Sequence, residues 1–259
     1  MPAKTSFYLF RSALRWVDLS FAAAAVVLFV SAQFGLNPEP AGGLAWRPVE
    51  WKWVHDVAKG LLLPILALRF WLSVTEQHAD RGLQHRVGLA MGFCWIGDMV
   101  LTLPGDLAFL AGLVSFLSGH LMFLVVFRWL LRTGAPRSSK PLQGLVMVLL
   151  FGVLTPTISH LSGAAGGLAP AVVVYALVIA TMAYFTWVLG NGPGVMALRV
   201  GAIFFLISDL MLAFSRFGDA PIEHEHFWVM STYILAQACL TSGFIRAAKG
   251  RSDKANATN

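Results

Sequence analysis

The chain has 259 residues, 57% of them hydrophobic and only 12% charged, with a mean hydropathy of +0.70. A soluble domain of this size carries about 25% charged residues, so the composition excludes a soluble globular domain and points to an integral membrane protein. The net charge of +6 does not require nucleic acid as a partner, because basic residues of membrane proteins gather in cytoplasmic loops.

A helix needs about 20 apolar residues to cross a bilayer, and eight segments qualify. The first, 17–35, follows Lys4, Arg11 and Arg15 and contains Val30-Ser31-Ala32, which has the form of a cleavage site. Its apolar run of about 18 residues exceeds the 7–15 of a signal peptide, so it reads as an uncleaved first helix. Pro38 and Pro40 close it, and Trp46, Trp51 and Trp53 suit an interfacial belt before the second span. That span, 54–73, holds Lys59, and Arg69, whose stem can reach back to the surface. The third span, 87–103, carries Cys94 and Asp98, and Pro104-Gly105 separates it from the fourth, 107–131, with His120. Pro136 precedes the fifth span, 142–160, which contains Pro156 and ends at His160. The segment Gly163 to Gly167 leads to the sixth, 168–189, with Tyr175, and the segment Gly190 to Gly194 to the seventh, 196–214, with Asp209. His224-Glu225-His226 lies in a polar loop with no third ligand nearby, so no metal is implied. The eighth span, 227–245, carries Tyr233, Gln237, Cys239 and Thr241 before a basic tail, 246–259, read as disordered. Two cysteines inside apolar segments form neither a disulfide framework nor a metal pattern, and read as packing residues.

The fold expected is therefore all-α, a single polytopic transmembrane bundle of about eight spans. Charge sets its orientation. Lys4, Arg11, Arg15, Arg81, Arg86, Arg128, Arg132, Arg137, Lys140, Arg199, Arg246, Lys249, Arg251 and Lys254 fall on the side of the termini. Only Arg47, Lys52 and Arg216 fall opposite. That asymmetry puts both termini of a multi-pass membrane protein in the cytoplasm, and the membrane expected is a bacterial inner membrane.

Two segments read almost alike: FCWIGDMVL at 93–101 and FFLISDLML at 204–212. Each sets an aspartate into hydrocarbon, at a cost of about 2.5–3.5 kcal/mol if charged, so each must face a partner or a cavity. A single such aspartate is as well explained by hydrogen bonds that hold two helices together. Two in matching contexts favour a site. Their spacing equals four spans, which fits a parallel duplication of four-helix halves. Asp98 lies about five residues, roughly 7 Å, from the non-cytoplasmic end of its span, and Asp209 lies at about the same depth. Lys59, Tyr175 and Tyr233 lie at similar depths on three other spans. Tyr233, Gln237 and Thr241 form one polar stripe at i, i+4 and i+8. His120 is deeper, roughly 20 Å down its span. It is a candidate for substrate contact, with an interhelical hydrogen bond beside Ala111, Ser115 and Gly119 as the alternative.

These stretches resemble the YhhN-like, or lysoplasmalogenase, family of eight-span membrane proteins. The resemblance rests on IGDMVLTL (96–103), GLVSFLSGHLMF (112–123), PAVVVYALVIATMA (170–183), GAIFFLISDLMLAF (201–214) and YILAQ (233–237). Gly60 follows Lys59 where the family tends to carry proline, and Phe123 replaces a tyrosine often found there. The resemblance implies cleavage of the vinyl ether of lysoplasmalogens to a fatty aldehyde and a glycerophospho-base, with Asp98 and Asp209 as the catalytic pair. No cofactor and no metal is expected. A vinyl ether hydrolyses by protonation at carbon, so the site needs a positioned acid and a negative group to balance the cation. Two carboxylates in a dry pocket can supply both roles. Lys59, His120, Tyr175, Ser208, Tyr233 and Gln237 are the expected substrate-binding residues, and the expected partners are a lysophospholipid and membrane lipids. A proton-coupled transporter using the same aspartates is the alternative, though their spans lack the Pro- or Gly-broken centre of discontinuous transporter helices.

Overall fold

The computed structural model describes residues 2–35, 50–77, 80–219 and 222–257. Among them lie eight α-helices and no strand: α1 Pro2–Gly35, α2 Glu50–Glu76, α3 Arg81–Val100, α4 Asp106–Arg132, α5 Lys140–Ala165, α6 Ala169–Val188, α7 Val195–Phe217 and α8 Glu225–Ala257. Pro38, Pro40, Trp46 and Arg47 lie outside the described residues, as do the side chains of Lys4, Arg11, Trp51, Lys52 and Lys254.

Six stretches among the described residues are long and apolar enough to cross a membrane. They cover α1, α2, α4, α7 and α8 singly, and α5 with α6 as one run, 140–188. The break inside that run is Gly166, whose φ of 53° a side chain rarely adopts. The helix left out is α3, because Arg81, Gln84, His85, Arg86 and Asp98 dilute its apolar content. It is nonetheless packed into the core through Leu83, Val87, Ala90, Met91 and Cys94.

Close approach depends on small residues, the usual device where lipid gives helices no hydrophobic reason to associate. Against α3, α4 offers Gly112, Ser115 and Gly119. A Cβ at Gly119 would stand 2.8 Å from the Cys94 sulfur, and Ser115 Oγ donates to the Phe93 carbonyl at 2.7 Å. The small stripe thus runs through Gly112, whereas Ala111 faces outward. The α7–α8 pair repeats the device: a Cβ at Gly201 would meet the Ala236 carbonyl oxygen at 2.9 Å, and one at Gly243 would meet Leu198 at 2.7 Å.

Two expectations change. Where a disordered tail is expected after 245, α8 continues to Ala257. Its added turns find partners: Arg251 donates to the Thr133 carbonyl and stacks over Trp129, and Ser252 donates to the Gln77 carbonyl. Arg69, expected at the surface, pairs with Asp18 of α1.

Candidate active site

The helix ends opposite those contacts enclose a cavity of about 540 Å³. Its walls come from α2, α3, the 101–105 turn, α4, α7 and the start of α8, and include Lys59, Asp98, Phe116, Ser208, Asp209 and Tyr233. Local structure explains how these meet. On α2, Gly60 leaves room for Met99 of α3, 3.3 Å from where its Cβ would stand. The Gly60 carbonyl also accepts from Trp95 Nε1 at 2.9 Å. The glycine that replaces the expected proline therefore lets α2 and α3 touch, and Lys59 comes to the same wall as Asp98.

Each aspartate accepts a hydrogen bond from a tyrosine on another helix. Tyr233 of α8 donates to Asp98 Oδ2 at 2.6 Å, and Tyr175 of α6 donates to Asp209 Oδ2. Gln237 Nε2 donates in turn to the Tyr233 oxygen at 3.3 Å. A donor aimed at a carboxylate makes the stronger, charge-assisted kind of bond. Asp98 is only 3% exposed, while Asp209 is half-buried and lines the same cavity. Four helices thus hold two carboxyl groups by fixed phenols around one enclosed space. That arrangement can donate a proton from one side and hold a negative charge on the other.

The remaining expected residues are placed differently. Ser208 lines the cavity, but its hydroxyl donates to the Val229 carbonyl of α8 at 3.0 Å. Tyr175, Gln237 and His120 stand behind the wall rather than in it. His120 is fully buried, and its Nδ1 contacts the Phe116 carbonyl at 2.7 Å, one turn back on its own helix. Since a carbonyl only accepts, Nδ1 carries the hydrogen. The bond lies within α4 rather than between helices. The ring packs edge-on against Phe205 and Tyr175, at centroid distances of 4.6 and 5.5 Å. It therefore backs the tyrosine that holds Asp209. Phe205 also meets Tyr233 edge-on at 5.4 Å, so it braces one tyrosine directly and the other through His120. Phenylalanine inside an apolar run carries no sequence signal for such a role.

The rim adds residues with no expected part in the site. His55 and Asp56, one turn above Lys59, line the cavity, as do Arg216, Glu225 and His226. His226 comes from the segment weighed as a metal fragment. Its neighbour His224 turns away with a φ of 55° and pairs with Glu223 at 3.6 Å. Among the described residues no group of three such side chains is arranged to hold a metal ion.

A profile of the YhhN family matches residues 54–244. The lysoplasmalogenase TMEM86B of Sus scrofa is 30% identical over 200 residues, covering 76% of this chain and 79% of that protein. The human lysoplasmalogenase TMEM86B is 27% identical over 195 residues, 74% of this chain and 76% of its own length. The human lysoplasmalogenase TMEM86A is 29% identical over 198 residues, 71% of this chain and 75% of its own. No solved structure matches the chain.

Proposed function

As the chain belongs to the YhhN family, we propose that it is a membrane-embedded hydrolase cleaving the vinyl ether of a lysoplasmalogen, or of a related lysolipid. The products are a fatty aldehyde and a glycerophospho-base. One observation carries the reading. Two carboxyl groups, each held by a tyrosine from another helix, face one cavity beneath a charged rim. The names of the relatives support the same chemistry.

The reaction runs in three steps. A carboxylic acid gives its proton to the vinyl carbon remote from oxygen, and the other vinyl carbon becomes an oxocarbenium ion. The second carboxylate balances that cation and takes a proton from water as the water's oxygen bonds to carbon. The hemiacetal then collapses: the second carboxyl group returns its new proton to the glycerol oxygen as that carbon–oxygen bond breaks, and the first takes the hemiacetal hydroxyl proton, leaving an aldehyde and a free hydroxyl and restoring both groups. Lys59, on the wall with Asp98, supports giving Asp98 the anionic role. Asp209, facing that negative charge, is then the proton donor. The charge of Lys59 also limits how strongly the two carboxylates repel each other.

Eight α-helices among the described residues support an eight-span reading with both termini on the cytoplasmic face, α3 being a span of low hydropathy within the bundle. The glycine-packed pairs α3–α4 and α7–α8 support the parallel duplication. α7 runs on unbroken from Asp209 to Phe217, and α3 is unbroken from Arg81 to its end at Val100, just beyond Asp98, so neither has the broken centre that would support a transport reading.

The test is purified protein in detergent with a vinyl-ether lysolipid and its acyl and alkyl analogues, followed by aldehyde release. Only the vinyl ether should react, and without any ion gradient. Asp98→Asn and Asp209→Asn should each lose about 10²–10⁴-fold in rate, the usual worth of a positioned acid or base. Either variant keeping most of the activity, with the helices still folded, would rule out the paired-acid mechanism.

A further inference from the structure

The rim of the cavity carries both signs of charge. Arg216, in the last turn of α7, and Glu225, in the first turn of α8, both line it. Arg216 lies seven residues beyond Asp209, about 10 Å along the helix, and Glu225 lies eight residues before Tyr233, about 12 Å. Both therefore stand some two turns outside the carboxyl pair. Arg216 is held in place there: its Nη2 donates to Asp106 of α4, and its guanidinium lies 5.4 Å from the centre of the Phe109 ring. That leaves its other N–H groups as donors at the mouth. A first-turn glutamate suits the dipole of its helix wherever it sits, but that does not account for its place on the cavity wall with Arg216.

We propose that this rim is a headgroup subsite for a zwitterionic phospho-base, with Arg216 taking the phosphodiester and Glu225 the terminal ammonium. The inference rests on the lysolipid reading above and deepens it. In such a lipid the phosphorus lies five bonds from the ether oxygen and the nitrogen four bonds further. With the ether between the aspartates, both charges must fall toward the mouth, phosphate before ammonium. Arginine presents several N–H donors to a phosphate's oxygens, and a carboxylate across the opening attracts a primary ammonium. Asp106 then acts as a positioning residue that aims the arginine.

The test measures binding apart from turnover. Non-hydrolysable alkyl-ether lysolipids are titrated into the purified full chain, one with a phosphoethanolamine headgroup and one with a phosphate monoester. The wild type should prefer the ethanolamine form. Glu225→Gln should cut that preference about tenfold, and Glu225→Lys should reverse it, a gain that misfolding cannot mimic. Arg216→Gln should weaken both ligands together. If the glutamate variants leave the preference unchanged, the charges are a solvated rim and the subsite does not exist. If headgroup discrimination behaves as expected but no aldehyde leaves the vinyl ether, the hydrolase reading falls and the subsite stands.

Discussion

A carboxylate buried in a bilayer needs its oxygens satisfied, and this chain gives each of its two a phenol rather than a lysine or an arginine in direct contact. The choice matters chemically. A full cation bonded to the carboxylate would neutralise the charge the reaction needs, whereas a tyrosine fixes the group and leaves its charge in place. Phenylalanine at Tyr233 or Tyr175 keeps the edge-on ring contacts with Phe205 and His120 but removes the donated proton. A hydrogen bond to a charged group is worth about 1.5–3 kcal/mol and one between neutral groups about 0.5–1.5 kcal/mol, so Tyr233→Phe should lower kcat by about 10–100-fold and Tyr175→Phe, beside the neutral acid, by about 2–10-fold. Because neither hydroxyl needs to touch substrate in this scheme, KM should move little. Steady-state aldehyde release separates the two quantities. A large rise in KM with unchanged kcat would make the tyrosines substrate contacts instead.

At the scale of helices, apolar runs mark every α-helix but α3, because a span must be apolar along most of its length and the charges of α3 dilute its run. The structure brings Lys59, Asp98, Asp209 and Tyr233 to one cavity, and their similar depth on four spans makes that grouping visible from sequence, although Tyr175, at a similar depth, stands behind the wall. Other features leave no such trace. The tail after 245 is helical because Arg251 and Ser252 reach residues over a hundred positions away, which no local pattern records. The face of α4 that meets α3 depends on its rotation about its own axis, and a small residue at 111 looks as suitable as one at 112. The rim escapes because loop charges resemble ordinary solvated surface until helix ends are brought together. Glycine tests the packing directly. Gly201→Ala drives a methyl group to 2.9 Å from the Ala236 carbonyl oxygen, and such overpacking costs about 1–3 kcal/mol. Gly152→Ala meets nothing within 4 Å and gains helix propensity, up to about 1 kcal/mol. In detergent melts the first variant should unfold at lower temperature than wild type, and the second at the same or higher temperature. Equal midpoints for both would mean that α7 and α8 are not packed this closely.

For the molecule as a whole, the question is which leaflet supplies the substrate. The cavity lies at the end of the bundle formed by the 101–105 turn, the end of α7 and the start of α8. The opposite end joins the 133–137 segment to Leu189 and Gly190 and to Arg251. Most lysines and arginines outside the spans lie at that opposite end, and positive charge marks the cytoplasmic side. The carboxyl pair should therefore open to the outer leaflet, where a lysolipid's first-position ether would lie just beneath its headgroup. Two single-cysteine positions decide it, with Cys94 and Cys239 inside helices and remote from both: Glu223→Cys near the cavity mouth and Ser139→Cys at the other end. Both positions are exposed. In intact cells a membrane-impermeant thiol reagent should label position 223 and spare position 139 until the cells are opened. The reverse pattern would place the carboxyl pair in the cytoplasmic leaflet, because the same helix directions carry the cavity wherever that loop goes.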